Sequence, residues 1–278
     1  VIPGEYALVL AAAVAHAGWN ALLKASGDRL LSLAAIRLVG LLLGAGALLV
    51  VPMPAPGSWG LLVAAAAAHF LYFWFLLNAY RVGDLSVVHP VSRGLAPLLL
   101  AIAAWLAVGE ALSPAHMLGV AAISGGIGVL AFRGGASRAA LAFAVGTGVT
   151  VAVYSFLGAL GVRAAGTVVG FQACLEILTG VGVLAFAAVR RPAASLRAYA
   201  RTQGAVGLSA GVLSVCGYTA YLLAVAALPM AAVSALRESS VLFAALIGTV
   251  LYKEGFGRRR ALAAALVTGG IVVLGVAR

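Results

Sequence analysis

Apolar runs of about twenty residues follow one another along almost the whole chain, and this constrains the fold more than any other feature. The runs cover 4–25, 30–51, 58–80, 84–108, 112–132, 138–160, 165–189, 203–227, 230–252 and 259–277. A helix needs roughly 20 mostly apolar residues to cross the hydrocarbon of a bilayer. The gaps are polar or rich in Pro and Gly, as in Pro52-Met53-Pro54-Ala55-Pro56-Gly57, Arg190-Arg191-Pro192 and Gly257-Arg258-Arg259-Arg260. The narrowest gap is at Gly109-Glu110, just before Ser113-Pro114. A membrane barrel would need strands of alternating polarity. These runs are continuous and rich in Leu and Ala, so the expectation is an all-α integral membrane protein of ten transmembrane helices. Composition agrees. The chain is 64% hydrophobic and 9% charged, against about 25% charged in an average soluble domain. The first run has no A-x-A site after it and reads as a span rather than a cleaved signal.

Two segments match without a gap at an offset of 144. Arg93 falls on Arg237, Glu110 on Glu254, and Gly125-Gly126-Ile127 on Gly269-Gly270-Ile271, with 11 identities over 93–130 against 237–274. Paired rare charges at equal spacing mark a repeat of spans four and five in spans nine and ten. Residues 1–135 then form one five-helix repeat and 136–278 the other, within one transmembrane domain. Five is odd, so the second repeat crosses the bilayer in the opposite sense. Such inverted repeats are common in secondary transporters, which hold substrate near the midplane between the halves. One chain contains both halves, so a monomer suffices.

Net charge is +11, but the cations sit in the gaps rather than in a basic patch, which argues against nucleic acid. Odd-numbered gaps hold thirteen Lys and Arg, from Lys24 and Arg29 to Lys253 and Arg258-Arg259-Arg260. The even-numbered gaps and the two ends hold only Arg163 and Arg278. The positive-inside rule puts the odd gaps in the cytoplasm and both termini outside.

Ionisable and polar groups inside spans are expensive and mark candidate sites. Arg93 and Arg237 occupy equivalent positions, as structural partners of carbonyls or a carboxylate, or as ligands for a substrate carboxylate. Glu176 and Glu238 are the deep carboxylates. Helical neighbours do not face each other, so a pairing of Arg237 with Glu238 cannot be assumed. Arg37 reads as a snorkelling or loop-capping residue. Four faces gather further groups: His16 and Asn20 with Lys24, flanked by Trp19; His69, Phe73, Leu76 and Tyr80, with Tyr72 beside them; Gln172, Glu176 and Thr179; and Ser214, Tyr218 and Tyr221. A cavity so lined suits a zwitterion with an apolar body. Arg or a helix N-terminus would hold the carboxylate, and Asn20, carbonyls or a Glu the amine. Trp19 and the tyrosines would stack on a ring. For the tyrosines and Trp74, packing or an interfacial belt is the alternative. Pro90 and Pro97 free carbonyls in span four.

His16, His69, His89 and His116 have no HExxH-like spacing, and no GxSxG or phosphate loop appears. Neither an enzyme nor a metal or cofactor site is therefore expected. Cys174 and Cys216 form no CxxC.

Ala17-Gly18-Trp19-Asn20 followed by Lys24, and the repeated Glu110-Ala111-Leu112-Ser113 and Lys253-Glu254-Gly255-Phe256 turns before Gly-Gly helices, resemble the drug/metabolite transporter superfamily, EamA type. Within it the chain is most similar to bacterial amino-acid exporters of the YddG type. The resemblance covers essentially the whole chain. It implies ten helices in two inverted halves, a central cavity in a bacterial inner membrane, and export of small metabolites, aromatic amino acids among them. Span six departs from the repeat: Tyr154-Ser155 stands where Trp19-Asn20 would recur. The expected function is export of aromatic or other neutral amino acids by alternating access. The same fold could instead carry drugs, lipophilic cations, sugars or nucleotide-linked metabolites. An intramembrane enzyme is the reading from another class.

Overall fold

The computed structural model describes residues 4–24, 28–82, 85–131, 137–243 and 258–276. They form helices α1 (Gly4–Lys24), α2 (Arg29–Ala47), α3 (Trp59–Val82), α4 (Leu85–Val108), α5 (Pro114–Ala131), α6 (Arg138–Ala164), α7 (Val168–Arg190), α8 (Ala193–Ala227), α9 (Met230–Glu238) and α10 (Arg258–Val276), with no strand among them. Helices α2, α3, α4, α6, α7 and α8 are each long and apolar enough to cross a membrane. Large apolar side chains such as Leu42, Val63, Trp105, Leu106 and Leu208 stay exposed on the outside of the bundle. Hydrocarbon accommodates such an exterior and water does not, so the chain is a multi-pass membrane protein.

Local chemistry sets the helix ends. The Asp28 carboxylate caps α2, accepting from the Leu30 and Leu31 N–H groups at 3.0 and 3.2 Å. Ser137 and Thr167 cap α6 and α7 in the same way. The narrow gap after α4 is real because Gly109 takes φ +68°, and its N–H bonds back to the Trp105 carbonyl.

Two expectations are corrected. The eighth helix begins at 193, not 203. Arg197 and Arg201 lower the apolar count there, but neither breaks a helix, and Pro192 precedes the first turn. The ninth apolar run is not one continuous helix. Helix α9 stops after nine residues, Ser239 forms a turn, and helix resumes over 240–243. Ser239 Oγ donates at 2.5 Å to the Leu236 carbonyl, which also accepts from the Ser239 N–H. Lys253 and Glu254 lie outside the described residues.

Most close helix pairs survive exchange of the first five for the second five, although α4–α5 has no counterpart among the described residues. Helix α3 packs on α6 and α1 on α8; α2 on α8 and α3 on α7; α4 on α6 and α1 on α9. The exchange maps α2–α7, α4–α9 and α5–α10 onto themselves, and all three are contacts. Helices α2 and α7 come closest through glycine: a Cβ at Gly44 would stand 2.7 Å from the Ala173 carbonyl oxygen.

The two ends of the bundle differ. At one end the connections after α2, α4, α6 and α8 meet. The Ala55 N–H donates to the Ala165 carbonyl at 2.9 Å. Arg163 pairs with Glu110 at 2.7 Å and donates to the Val225 and Leu228 carbonyls. The other Glu110 oxygen accepts from the Met230 N–H at the start of α9. Beneath them lies the main apolar core, including Leu62, Leu100, Val162, Phe171, Leu222 and Met230. At the opposite end Asp28 pairs with Arg191 at 2.8 Å, and Tyr199 donates to Ser32.

Two predictions follow from this packing. Gly44→Ala forces α2 off the α7 backbone and destabilises the protein in detergent thermal unfolding, whereas Gly46→Ala, which meets nothing within 4 Å, is neutral or stabilising by about 0.5–1 kcal/mol. The second concerns acid. Burial tends to raise the Asp28 carboxyl, but the Arg191 bond and charge and the Leu31 and Leu30 N–H groups outweigh it, leaving the carboxyl below its ordinary value. Its contribution is therefore complete above the unfolded value, about pH 4, and is lost as pH falls through the lowered folded value. Asp28→Asn keeps a capping oxygen and should show a shallower loss of stability between pH 5 and 3. Asp28→Ala also loses the cap, at about 1 kcal/mol.

Candidate functional site: a charged and aromatic cavity

A cavity of about 130 Å³ opens in the half of the bundle away from the apolar core. Its rim is formed by Asn20, Arg29, Leu33 and Leu77, near the ends of α1, α2 and α3. Its floor is formed by Arg93, Tyr154 and Arg237, on α4, α6 and α9.

Most sequence-predicted residues converge here. His16, Trp19 and Asn20 line it from α1, and His69, Tyr72 and Phe73 from α3. Glu176 and Thr179 line it from α7, Ser214 and Tyr218 from α8, and Arg93, Tyr154 and Arg237 from the floor. Polar faces separated by three or four residues turn inward because lipid would leave those groups unsatisfied. Three further candidates stand just behind the wall. Gln172 donates to Glu176 Oε1 at 2.8 Å. Tyr221 is fully buried under Arg237, whose guanidinium carbon lies 4.1 Å from the ring centroid. Glu238 is fully buried among arginines. The side chains of Tyr80 and Lys24, and that of His89, lie outside those described.

The floor is an ion-paired trio. Arg93 Nη1 lies 3.2 Å from Glu238 Oε2, and Arg237 Nη2 lies 2.8 Å from Glu238 Oε1. Arg93 Nη2 also donates to the Tyr72 hydroxyl at 3.3 Å, and Arg237 Nη2 to Ser155 Oγ at 3.4 Å. Arg237 and Glu238, whose pairing the sequence left open, thus do pair. Neighbours on a helix diverge at Cβ, but α9 ends at this position and a guanidinium is long enough to swing back. The two repeat-related arginines converge on one carboxylate.

The wall carries a second pair, with Arg37 misread from sequence. Arg37 does not snorkel to a loop. Its Nη1 donates to Glu176 Oε2 at 2.9 Å and its Nη2 to Ser214 Oγ at 3.1 Å, tying α2 to α7 and α8. Two signals could have found it: a deep Glu176 with no cation within three turns of it on its own helix, and Gly40 one turn beyond Arg37. A Cβ at Gly40 would collide with the Glu176 carboxylate, so glycine leaves the room that carboxylate needs.

Rings fill the rest. His69 stacks on Tyr154 at 4.1 Å between centroids, Tyr72 meets Tyr154 edge-on at 5.5 Å, and Tyr218 stacks on Tyr221 at 5.5 Å. Trp19 Nε1 donates to His16 Nδ1 at 3.2 Å. Asn20 Nδ2 donates to the His16 carbonyl on its own helix, so that amide nitrogen is turned partly away from a ligand. Trp74 instead packs with Phe75 and Phe143 and is more than half exposed on the outer surface. The site can thus offer guanidinium donors and aromatic faces to a small molecule.

No family model matches the chain, and no curated protein does. Among solved structures, one described only as "Crystal structure of protein" is similar, with a TM-score of 0.71 at 20% identity over 97% of this chain and 94% of its own. At that identity the likeness extends to the fold alone.

The trio makes a test of the site's energetics. Glu238→Gln leaves two buried guanidiniums without their carboxylate and should cost on the order of 3–5 kcal/mol, read as lost thermal stability in detergent. Arg93→Met on that background returns the floor to the wild-type net charge and should recover part of the loss.

Proposed function

We propose that the chain is a secondary transporter that exports small metabolites, amino acids foremost, from bacterial cells by alternating access through this cavity. The observation that carries the reading is the contrast between the bundle's halves: a polar, ion-paired, ring-lined cavity in one and an apolar plug in the other, inside an exterior fit for lipid. A site accessible from one side and sealed from the other is what alternating access requires of a single state.

Other observations support the finer picture. Helix pairing that mostly survives exchange of the halves, with Arg93 and Arg237 at equivalent positions, fits ten crossings in two inverted repeats. The break at Ser239, beside the charged floor, fits the discontinuous helices that line transporter sites. The cavity lies toward the odd-numbered connections, where the basic residues collect, so on the positive-inside rule it opens to the cytoplasm. The resemblance to EamA-type drug/metabolite transporters points the same way. Stacked tyrosines suit an aromatic or other apolar body.

The test is counterflow of labelled aromatic and small neutral amino acids in proteoliposomes. Saturable flux is expected, reduced at least tenfold by Arg237→Gln. Absence of flux for all of them would remove amino acids as the cargo.

A further inference from the structure

The polar groups around the cavity are unequal in kind. Among the described residues, the charged side chains of its wall and floor are Arg37, Arg93 and Arg237 against Glu176 and Glu238, with Arg29 at the rim. Both carboxylates already have a cationic partner. Glu176 accepts from Arg37 through one oxygen and Gln172 through the other; Glu238 accepts from Arg93 and Arg237. Among the described residues of the cavity, no carboxylate carries an uncompensated charge for an ammonium group. Donors remain: each guanidinium has five N–H bonds, and the buried Nε of Arg37 has no hydrogen-bond partner. The Tyr218 hydroxyl is also buried without one. His16 and His69 complete the titratable groups of the wall with Tyr72 and Tyr154. None of these four adds a negative charge at neutral pH.

A site with one guanidinium in excess, held in a low-dielectric bundle, is stabilised by an anion and penalised by a cation. We infer that the ligand is an organic anion: a carboxylate on an aromatic or aliphatic body, for which an α-amine is dispensable. The acid's oxygens bond to the donor-rich wall, with Arg37 as the specificity-determining residue. Its side chain is 14% exposed, against 4% for Arg93 and Arg237. It also carries the vacant donor, and its Nη2–Ser214 bond can be exchanged for a carboxylate oxygen in a bidentate contact. The body lies against Tyr154, Tyr218 and Trp19. This inference rests on the cavity being the transport site, and it replaces charge balance by an amine with charge balance by the protein.

The experiment compares four compounds of one skeleton on the purified full chain in detergent: 3-phenylpropionate, 3-phenyllactate, phenylalanine and phenethylamine. Binding is read by thermal shift and tryptophan fluorescence, and flux by counterflow in proteoliposomes. The two acids lacking the amine should bind at least as tightly as phenylalanine, and phenethylamine at least tenfold more weakly. Arg37→Gln should weaken the acids tenfold or more. Arg37→Lys, which keeps the charge but not the bidentate edge, should weaken them less and preserve the order. Amine binding equal to or tighter than acid binding overturns the inference, as does binding of none of the four by folded protein. So does acid binding unchanged in folded Arg37→Gln. The wild-type order decides the anion claim even if both variants misfold. The expected order without flux would uphold the anion site and remove the transporter reading, whereas flux of phenethylamine alone would do the reverse.

Discussion

Glu238 sits at 0% exposure between two guanidiniums, just before the turn that interrupts the helix of the ninth apolar run. A lone buried carboxylate would be prohibitively costly in this setting, as would either arginine. Together they fix where α4 and α9 meet, because Arg93 reaches Glu238 from one helix and Arg237 from the other. Tyr72 is drawn in from α3 through Arg93, and Ser155 from α6 through Arg237. The arrangement of helices around the cavity floor follows from satisfying this one charge cluster. The rings above it inherit their positions from the same helices.

The second pair acts at the wall rather than the floor. Arg37 and Glu176 join α2 to α7 where the helices touch through Gly40 and Gly44, so close backbone approach and charge pairing reinforce each other. The rest of the bundle is held by apolar contact, concentrated in the half beyond Tyr221. That division explains why the cavity lies where it does. Ionised groups would disrupt the apolar half, so they gather in the other half around the cavity.

Much of the helical plan was legible in the sequence, because apolar runs in such a composition have few other solutions. The bounds of α3, α4 and α6 differ from the runs by a few residues. The early start of α8 escaped hydropathy because Arg197 and Arg201 look like loop residues to a measure blind to helix propensity. The inward faces were legible for the same reason that lipid excludes His, Asn and Gln. What the sequence did not disclose was which charges meet. Arg37 and Glu176 are 139 residues apart, and no periodicity links them. Arg237 and Glu238 are adjacent, and a rule about regular helix misleads at a helix end.

The sealed end bears on how a carrier of this design would move. It is closed by a broad apolar surface and by one polar junction, in which Glu110 accepts from the first N–H of α9 and from Arg163. Helix α9 is nine residues long and is followed by a turn at Ser239. Its first residue is held by the junction at the sealed end. Its last two belong to the ion-paired floor of the cavity. A ligand anion in the cavity acts on Arg237 through its charge and so on one end of this helix, while the junction resists at the other. Helix α9 therefore connects cavity to seal directly, and the coupling needs no longer chain of contacts than α9 itself.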